Sequence, residues 1–498
     1  MTPRLAIVLA WSAPWLVGSF SPIALLTANP LTKGTSKRPI KSVLCAVGGG
    51  NTNTWRSAIS NPAEKPDAID AVRDLCTSTP CRSPDVSQGE KGLAFLFVSQ
   101  KYADSIPDIV ETAHEILGED TTLLSVVGGG VVGGGVESDD PTVPAMSLLC
   151  GVLPSSAGVE VFMFGPDEAP PPASSKAWKA IGRNQDVPSY IVFADPWSPI
   201  QKILDGLDSS GVNGAVVAGG ISVPTFGDEG PTVAINGKAY PRGTAIGVGL
   251  SGTVGLQAVV AQGCRAVGPA FGVTEADGNM IVELEGKPAT EILSTITTNY
   301  LSDEDTALVE SSGLLCGLAA PGMSSVTDGD YLVRQIMGFR VPAIMIGAEV
   351  RQGDILRFHV RDATAARGDM QNMIGRAKTE RMFTGSENAG VPLAALQVSC
   401  VARGRALFGS PNFDLESVKN LLGVQEPDHA AVGGFFANGE IGPVGIAGVG
   451  INAKQTHMHG FTTVAATICD FRSADSTPSS TDTRTSDMRG EDDLSAWE

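Results

Sequence analysis

Gly433-Gly434-Phe435-Phe436-Ala437-Asn438-Gly439-Glu440-Ile441-Gly442-Pro443-Val444-Gly445 is preceded by apolar Ala430 to Val432. The run reads as a buried strand that turns through glycines around one Asn and one Glu. Glycine lets backbone approach a neighbour closely and adopts positive φ at little cost, so a single carboxylate here suggests the floor of a pocket. The same pattern occurs twice upstream. Leu93 to Val98, an amphipathic helix near Ser105 to Leu117, and Leu123 to Val127 lead into Gly128-Gly129-Gly130. Tyr190 to Phe193, a helix near Pro199 to Leu207, and Ala215 to Ala218 lead into Gly219-Gly220. In the third copy, Ala395 to Cys400 and a helix near Leu415 to Leu422 precede the quoted stretch. Ile106, Ile109, Val110, Ala113 and Ile116 show the helical spacing of the first copy. A strand–helix–strand crossover places its two strands parallel. Ala245 to Leu250 and Leu256 to Ala261 read as an antiparallel hairpin. The expected fold is α/β, bordering on α+β: repeated strand–helix–strand–hairpin units in mixed sheets covered by helices, in two lobes.

At 498 residues the chain can form two or three cores. A formal net charge of −19, with no Lys/Arg cluster beyond the N-terminus, excludes non-specific nucleic-acid binding. Arg4 precedes an apolar run, Leu5 to Phe20, too short to span a bilayer but suited to a signal peptide. Lys33, Lys37, Arg38 and Lys41 follow, and no acidic residue precedes Glu64, a transit-peptide composition. Gly18-Ser19-Phe20-Ser21-Pro22 resembles the cleavage signal of plastid preproteins in algae with red-derived secondary plastids. Residues 1–42 are therefore expected to be a signal peptide plus transit-like segment, and the location a plastid of such an alga, with secretion or the endomembrane system as the alternative. No membrane span is expected in the mature protein. Gly165 to Pro188, with Pro170-Pro171-Pro172, reads as a surface insertion, and the Ser/Thr/Asp-rich residues 472–498 as a disordered acidic tail.

Gly128, Gly130 and Gly133 satisfy G-x-G-x-x-G, but Glu137-Ser138-Asp139-Asp140-Pro141 follows, where a dinucleotide site needs a helix to open. No nucleotide cofactor is expected. His114 and His429 suggest no chemistry. Asp362, after Phe358-His359-Val360-Arg361, reads as a helix N-cap. His457 and His459 share a strand face, and no His-x₃-His or Cys-x₂-Cys pair completes a metal site. Cys76 and Cys81 flank a turn and could pair in an oxidising compartment, whereas Cys45, Cys150, Cys316 and Cys469 read as buried thiols. Cys264 precedes Arg265, and Cys400 precedes Arg403 and Arg405. Each thiol reads either as a nucleophile, with His359 or His459 as base, or as a structural residue. The arginines have two readings as well: pairing with Glu440, or a bidentate grip on a ligand carboxylate.

Taken in order, Gln262-Gly263-Cys264-Arg265, Phe358 to Asp362, Ser399-Cys400 with Arg403-Gly404-Arg405, Gly434 to Pro443 and His459-Gly460-Phe461-Thr462 resemble the C-terminal FIST domain. Leu93 to Val98, Gly128 to Gly135, Ser147 to Val152 and Val216 to Gly220 resemble the N-terminal FIST domain. The expected division is 43–258 for the N-terminal and 259–471 for the C-terminal domain. The resemblance implies a sensory module that binds a small ligand, with amino acids the proposed class, and Arg361, Arg403, Arg405, Asn438, Glu440 and His459 the candidate ligand-binding residues. It also implies an alternative, a protein–protein adaptor related to FIST-containing ubiquitin-ligase adaptors, although this chain has no room for an F-box. A Cys/His-dependent enzyme is the third reading.

Overall fold

The computed structural model describes residues 55–60, 67–79, 91–140, 142–183, 185, 187–225, 230–321, 329–383, 390–423, 430–448 and 455–471. The expected targeting segment (1–42), the expected tail (472–498), Cys45, Cys81 and His429 lie outside the described residues.

The three repeated segments form three equivalent units. Strands Gly92–Ser99 and Thr121–Gly128 pair parallel around helix Ile106–Leu117. Ser189–Ala194 and Val216–Ile221 do so around Ile200–Asp208, and Val391–Cys400 and Val432–Ala437 around Phe413–Leu422. In each unit the hairpin that follows leaves its own sheet. Val131–Gly133 with Val136–Ser138, from the first unit, extends the third unit's sheet at Val432–Ala437. Val233–Ile235 with Lys238–Tyr240, from the second, extends the first sheet at Thr121–Gly128. Gly439–Pro443 with Thr456–His459, from the third, extends the second sheet at Val216–Ile221. The exchange is cyclic, so each sheet is completed by another unit's chain.

The paired parallel strands at the centre of each sheet are apolar on both faces, as strands buried on both sides must be. Along Gly92–Ser99, Leu93, Phe95 and Phe97 enter a core common to all three sheets, while Ala94, Leu96 and Val98 pack under helices Ala68–Ser78 and Ile106–Leu117. Phe97, Phe193 and Phe435 meet in the common core, with ring centroids 6.0 Å (Phe97–Phe193), 5.7 Å (Phe97–Phe435) and 5.6 Å (Phe193–Phe435) apart. Such pairs add about 0.5–1.5 kcal/mol each beyond area burial. The recurring glycines have a steric cause. A Cβ at Gly434 would sit 1.8 Å from the Gln397 carbonyl oxygen, and one at Gly219 would sit 1.8 Å from that of Val192.

The second lobe is a closed antiparallel barrel inserted between Val254–Ala261 and helix Ala363–Phe383. Its ring runs Cys264–Asp277, Ile355–Arg361, Leu315–Ala319, Tyr331–Arg340, Ala343–Ile346 and Met280–Leu284, which pairs again with Cys264–Asp277. A register irregularity between Val267 and Ala270, at Gly268 with φ 69°, bends the long strand so that it serves both ends of the ring. Helices Ala289–Asn299 and Asp303–Ser312 contribute Ile292, Leu293, Ile296 and Val309 to the barrel's apolar cluster.

Two expectations change. Ala245–Ser251 and Val254–Ala261 are not a hairpin: the first pairs with Ser189–Ala194 and Gly158–Phe164, the second with Thr463–Asp470 and Ile446–Gly448. Their link crosses between two sheets, which leaves both strands buried on both faces. The Pro-rich segment is also more than surface. Its helix Lys176–Ile181 inserts Trp178, fully buried, against Phe164, and Trp178 Nε1 donates to the Pro171 and Pro172 carbonyls at 3.2 Å. The expected boundary at 258/259 falls inside the strand Val254–Ala261.

Candidate functional site

Polar side chains from both lobes converge where the chain enters and leaves the barrel. Glu440 lies on Gly439–Pro443, fully buried, opposite His459 in register. Its Oε2 accepts from the Thr462 backbone N–H at 3.1 Å and the Thr462 hydroxyl at 2.7 Å. Phe461, with φ 64°, holds the turn that presents both donors, a left-handed conformation costly for a large side chain. Glu440 Oε1 has no hydrogen-bond partner among the described residues. The Cys400 thiol abuts the carboxyl. Burial, only partly offset by Thr462, Arg403 and Cys400, pushes the Glu440 carboxyl up to about 8. The group is thus mainly protonated at neutral pH, and its orphan oxygen can act as a donor.

Arg403 is 1% exposed. Its Nε and Nη2 donate to Asp414 at 2.7 and 2.8 Å, a bidentate pair, and Thr463 Oγ1 also donates to Asp414 at 2.7 Å. Arg403 Nη1 has no partner among the described residues. Gly263 stands beside it: a Cβ there would lie 3.0 Å from Nη1 and 2.4 Å from the Phe461 carbonyl oxygen. Glu440 and Cys400 act on the charge of Arg403. Arg361, paired across the barrel ring with Cys264, donates through Nη2 to the Ala402 carbonyl and bears on both thiols. Arg334, from barrel strand Tyr331–Arg340, donates to the Val333 and Met458 carbonyls at 2.9 Å and carries a charge felt by Glu440. Burial draws Arg334 down to about 10.

The structure thus gathers Glu440, Arg403, Arg361, Cys400 and Cys264, with His459 as the cross-strand neighbour. It does not bring Arg405 to them. Arg405 is 60% exposed, 3.5 Å from Asp139 in the first unit's exchanged hairpin region. Neither Arg403 nor Arg405 forms an ion pair with Glu440. Asn438 is partly buried at the strand-to-strand turn, where its backbone N–H donates to the Ile221 carbonyl. Asp362 is the helix cap, accepting from Thr364 N and Ala365 N at 2.8 and 3.0 Å. His359 is fully buried in the barrel against Tyr331, its Nδ1 3.0 Å from the Arg357 carbonyl. Burial pushes Cys264 and Cys400 up to about 12, the reverse of thiolate activation, and lowers His459 to about 3.

The sequence reading missed Arg334, Thr462 and Asp414. Thr462 stood inside a quoted motif. Arg334 lies on an alternating strand with no motif around it, and Asp414 reads as an ordinary acidic first-turn residue. No group of three or more His, Cys, Asp or Glu among the described residues is arranged to hold a metal. No helix among them is long and apolar enough to cross a membrane.

Comparison with known proteins adds lineage to this geometry. The FIST N domain matches residues 92–287 and the FIST C domain residues 291–443. An uncharacterized protein of Mycobacterium tuberculosis (strain H37Rv) is 31% identical over 395 residues, 78% of this chain and 93% of its own length. An uncharacterized protein of Mycobacterium bovis is 29% identical over 386 residues, 76% of this chain and 90% of its own. These bacterial relatives overturn the expected location in an algal secondary plastid, with its transit peptide. That expectation rested on a few residues around Phe20 and on composition, neither of which is tied to the fold.

Proposed function

The chain belongs to the FIST family, whose domains are sensory modules of signal transduction, and on that premise we propose that it is a small-ligand sensor whose ligand sits at the Glu440–Arg403 cluster. One observation supports this above others: Arg403 Nη1 and Glu440 Oε1 are both buried, in one polar cluster, without protein partners among the described residues. Leaving a buried polar atom unpaired costs about 1–3 kcal/mol, more for a charged group, so a ligand that satisfies both gains that energy. The position suits a sensor. Glu440 comes from the second unit's sheet, Arg403 and Cys400 from the third's, and Arg334 and Arg361 from the barrel. A molecule bound there would touch two of the three sheets and the barrel.

The test is a thermal-shift screen of the full chain against amino acids and other small metabolites. A ligand at 100 times its Kd adds about 2.7 kcal/mol of stability. The reading predicts a stabilising compound whose effect is lost in Arg361→Met, a partly buried position without an ion pair among the described residues. A screen with no stabilising compound, on protein whose native mass carries no adduct, would contradict it.

A further inference from the structure

Resting on the reading above, the charges of the cluster narrow the chemistry of what it holds. Three guanidiniums bear on the site: Arg334 and Arg403 act on Glu440, and Arg361 acts on Arg403. Arg403 is neutralised by Asp414, and Asp369, which accepts from Gln262 N at 2.6 Å, also acts on it. Arg361 and Arg334 use their described hydrogen bonds on backbone carbonyls and form no ion pair among the described residues. Among the described residues, Glu440 is the carboxyl that acts on Arg334, while Arg361 is flanked by the two thiols and Arg403.

The groups facing Glu440 have a common character. Cys400 stands beside it from the end of Val391–Cys400, Arg403 from the turn that follows, and Arg334 from the barrel. Thr462 approaches from the turn before Thr463–Asp470, and His459 lies opposite, with His457 two residues away. Burial keeps both histidines neutral, at about 3 and about 4, and Cys400 a thiol. No second carboxylate is among these groups; Asp414 and Asp369 act on Arg403. Glu440 itself is mainly a carboxylic acid at neutral pH. An ammonium group placed here would meet cations and a proton donor. A carboxylate would meet N–H and O–H donors of matching sign.

We propose that the cluster of Arg334, Arg361, Arg403 and Glu440 takes a small carboxylate that has no ammonium group, such as an oxo- or dicarboxylic acid, rather than an amino acid. Glu440 donates its proton to the ligand through Oε1 while Oε2 stays on Thr462. Binding then requires the protonated form, and affinity falls as Glu440 ionises. A zwitterionic amino acid held by its ammonium group would show the opposite slope, because it needs the ionised form.

The experiment is calorimetric titration of the full chain with matched pairs, 2-oxoglutarate against glutamate and pyruvate against alanine, at pH 6.5 and pH 9. The expected result is binding of an oxo acid but not its amino counterpart, weakening about tenfold between the two pH values. Glu440→Gln, whose amide can still donate from the same position, should keep the binding and lose the pH dependence. The wild-type comparison stands alone if that variant does not fold. Amino acids that bind and tighten toward pH 9 would overturn this inference and leave the sensor reading intact, as would an oxo acid with equal affinity at both. Absence of binding by either class, with no adduct on native protein, would overturn both.

Discussion

Glu440 and Arg403 show how far single residues can be read from sequence. The glycines around Glu440 announced a buried carboxylate, and burial is what the structure shows. The partner was not legible. Arg403 points to Asp414, because helix Phe413–Leu422 begins where its first turn can reach back to the guanidinium, and spacing along the chain does not encode that fold-back. The protonation of Glu440 has a consequence for stability. Its carboxyl moves from an ordinary value of 4.5 to about 8 in the fold. Between those values the native state keeps a proton that the unfolded chain has released, so the Glu440 contribution falls as pH rises through this window. Glu440→Gln is thus expected to unfold at nearly the wild-type denaturant concentration at pH 4.5 and to be more stable by a few kcal/mol at pH 9. Parallel pH profiles for the two proteins would refute this. His457 and His459 act in the other direction. Their values are lowered to about 4 and about 3 from 6.5, so stability is lost as pH falls from 6.5 through that range. Arg403→Ala, which strands a buried Asp414, is expected to cost about 3–5 kcal/mol in chemical denaturation. Replacing both partners, Arg403→Met with Asp414→Leu, should cost less than the single change.

At the scale of elements, strand, helix and parallel strand were visible three times over, since helical spacing and apolar runs are local signals. The exchange of hairpins was not, because pairing between residues hundreds of positions apart leaves no local trace. Glu137 shows what holds one exchange together. From the first unit's hairpin it accepts from Gln397 Nε2 at 2.8 Å and Leu415 N at 3.0 Å, and from Asn412 N, at the start of the third unit's helix. Burial and the nearby Asp414 push it up to about 7. Glu137→Ala removes the acceptor from these donors and is expected to cost about 1–3 kcal/mol or more. In hydrogen exchange, protection should fall together at Val131–Ser138 and at the Asn412 and Leu415 amides. Loss confined to the hairpin would show that the exchange does not couple the two units.

At the scale of the molecule, the two-lobed mixed fold was legible, but the barrel was not. Its long strands mix buried and exposed positions without a repeated motif, and closure depends on one bent strand pairing twice. The family matches meet between residues 287 and 291, inside that barrel. The barrel is thus shared by both domains, and the site lies at its seam with the three-sheet body. A ligand there is the account's central claim. Native mass spectrometry of the full chain, purified without denaturation from its own cells, tests it most directly. The account predicts a small acidic molecule released from the wild-type protein and missing from Arg361→Met of unchanged fold. A wild-type mass equal to that of the bare polypeptide, with no compound restoring an adduct, would contradict it.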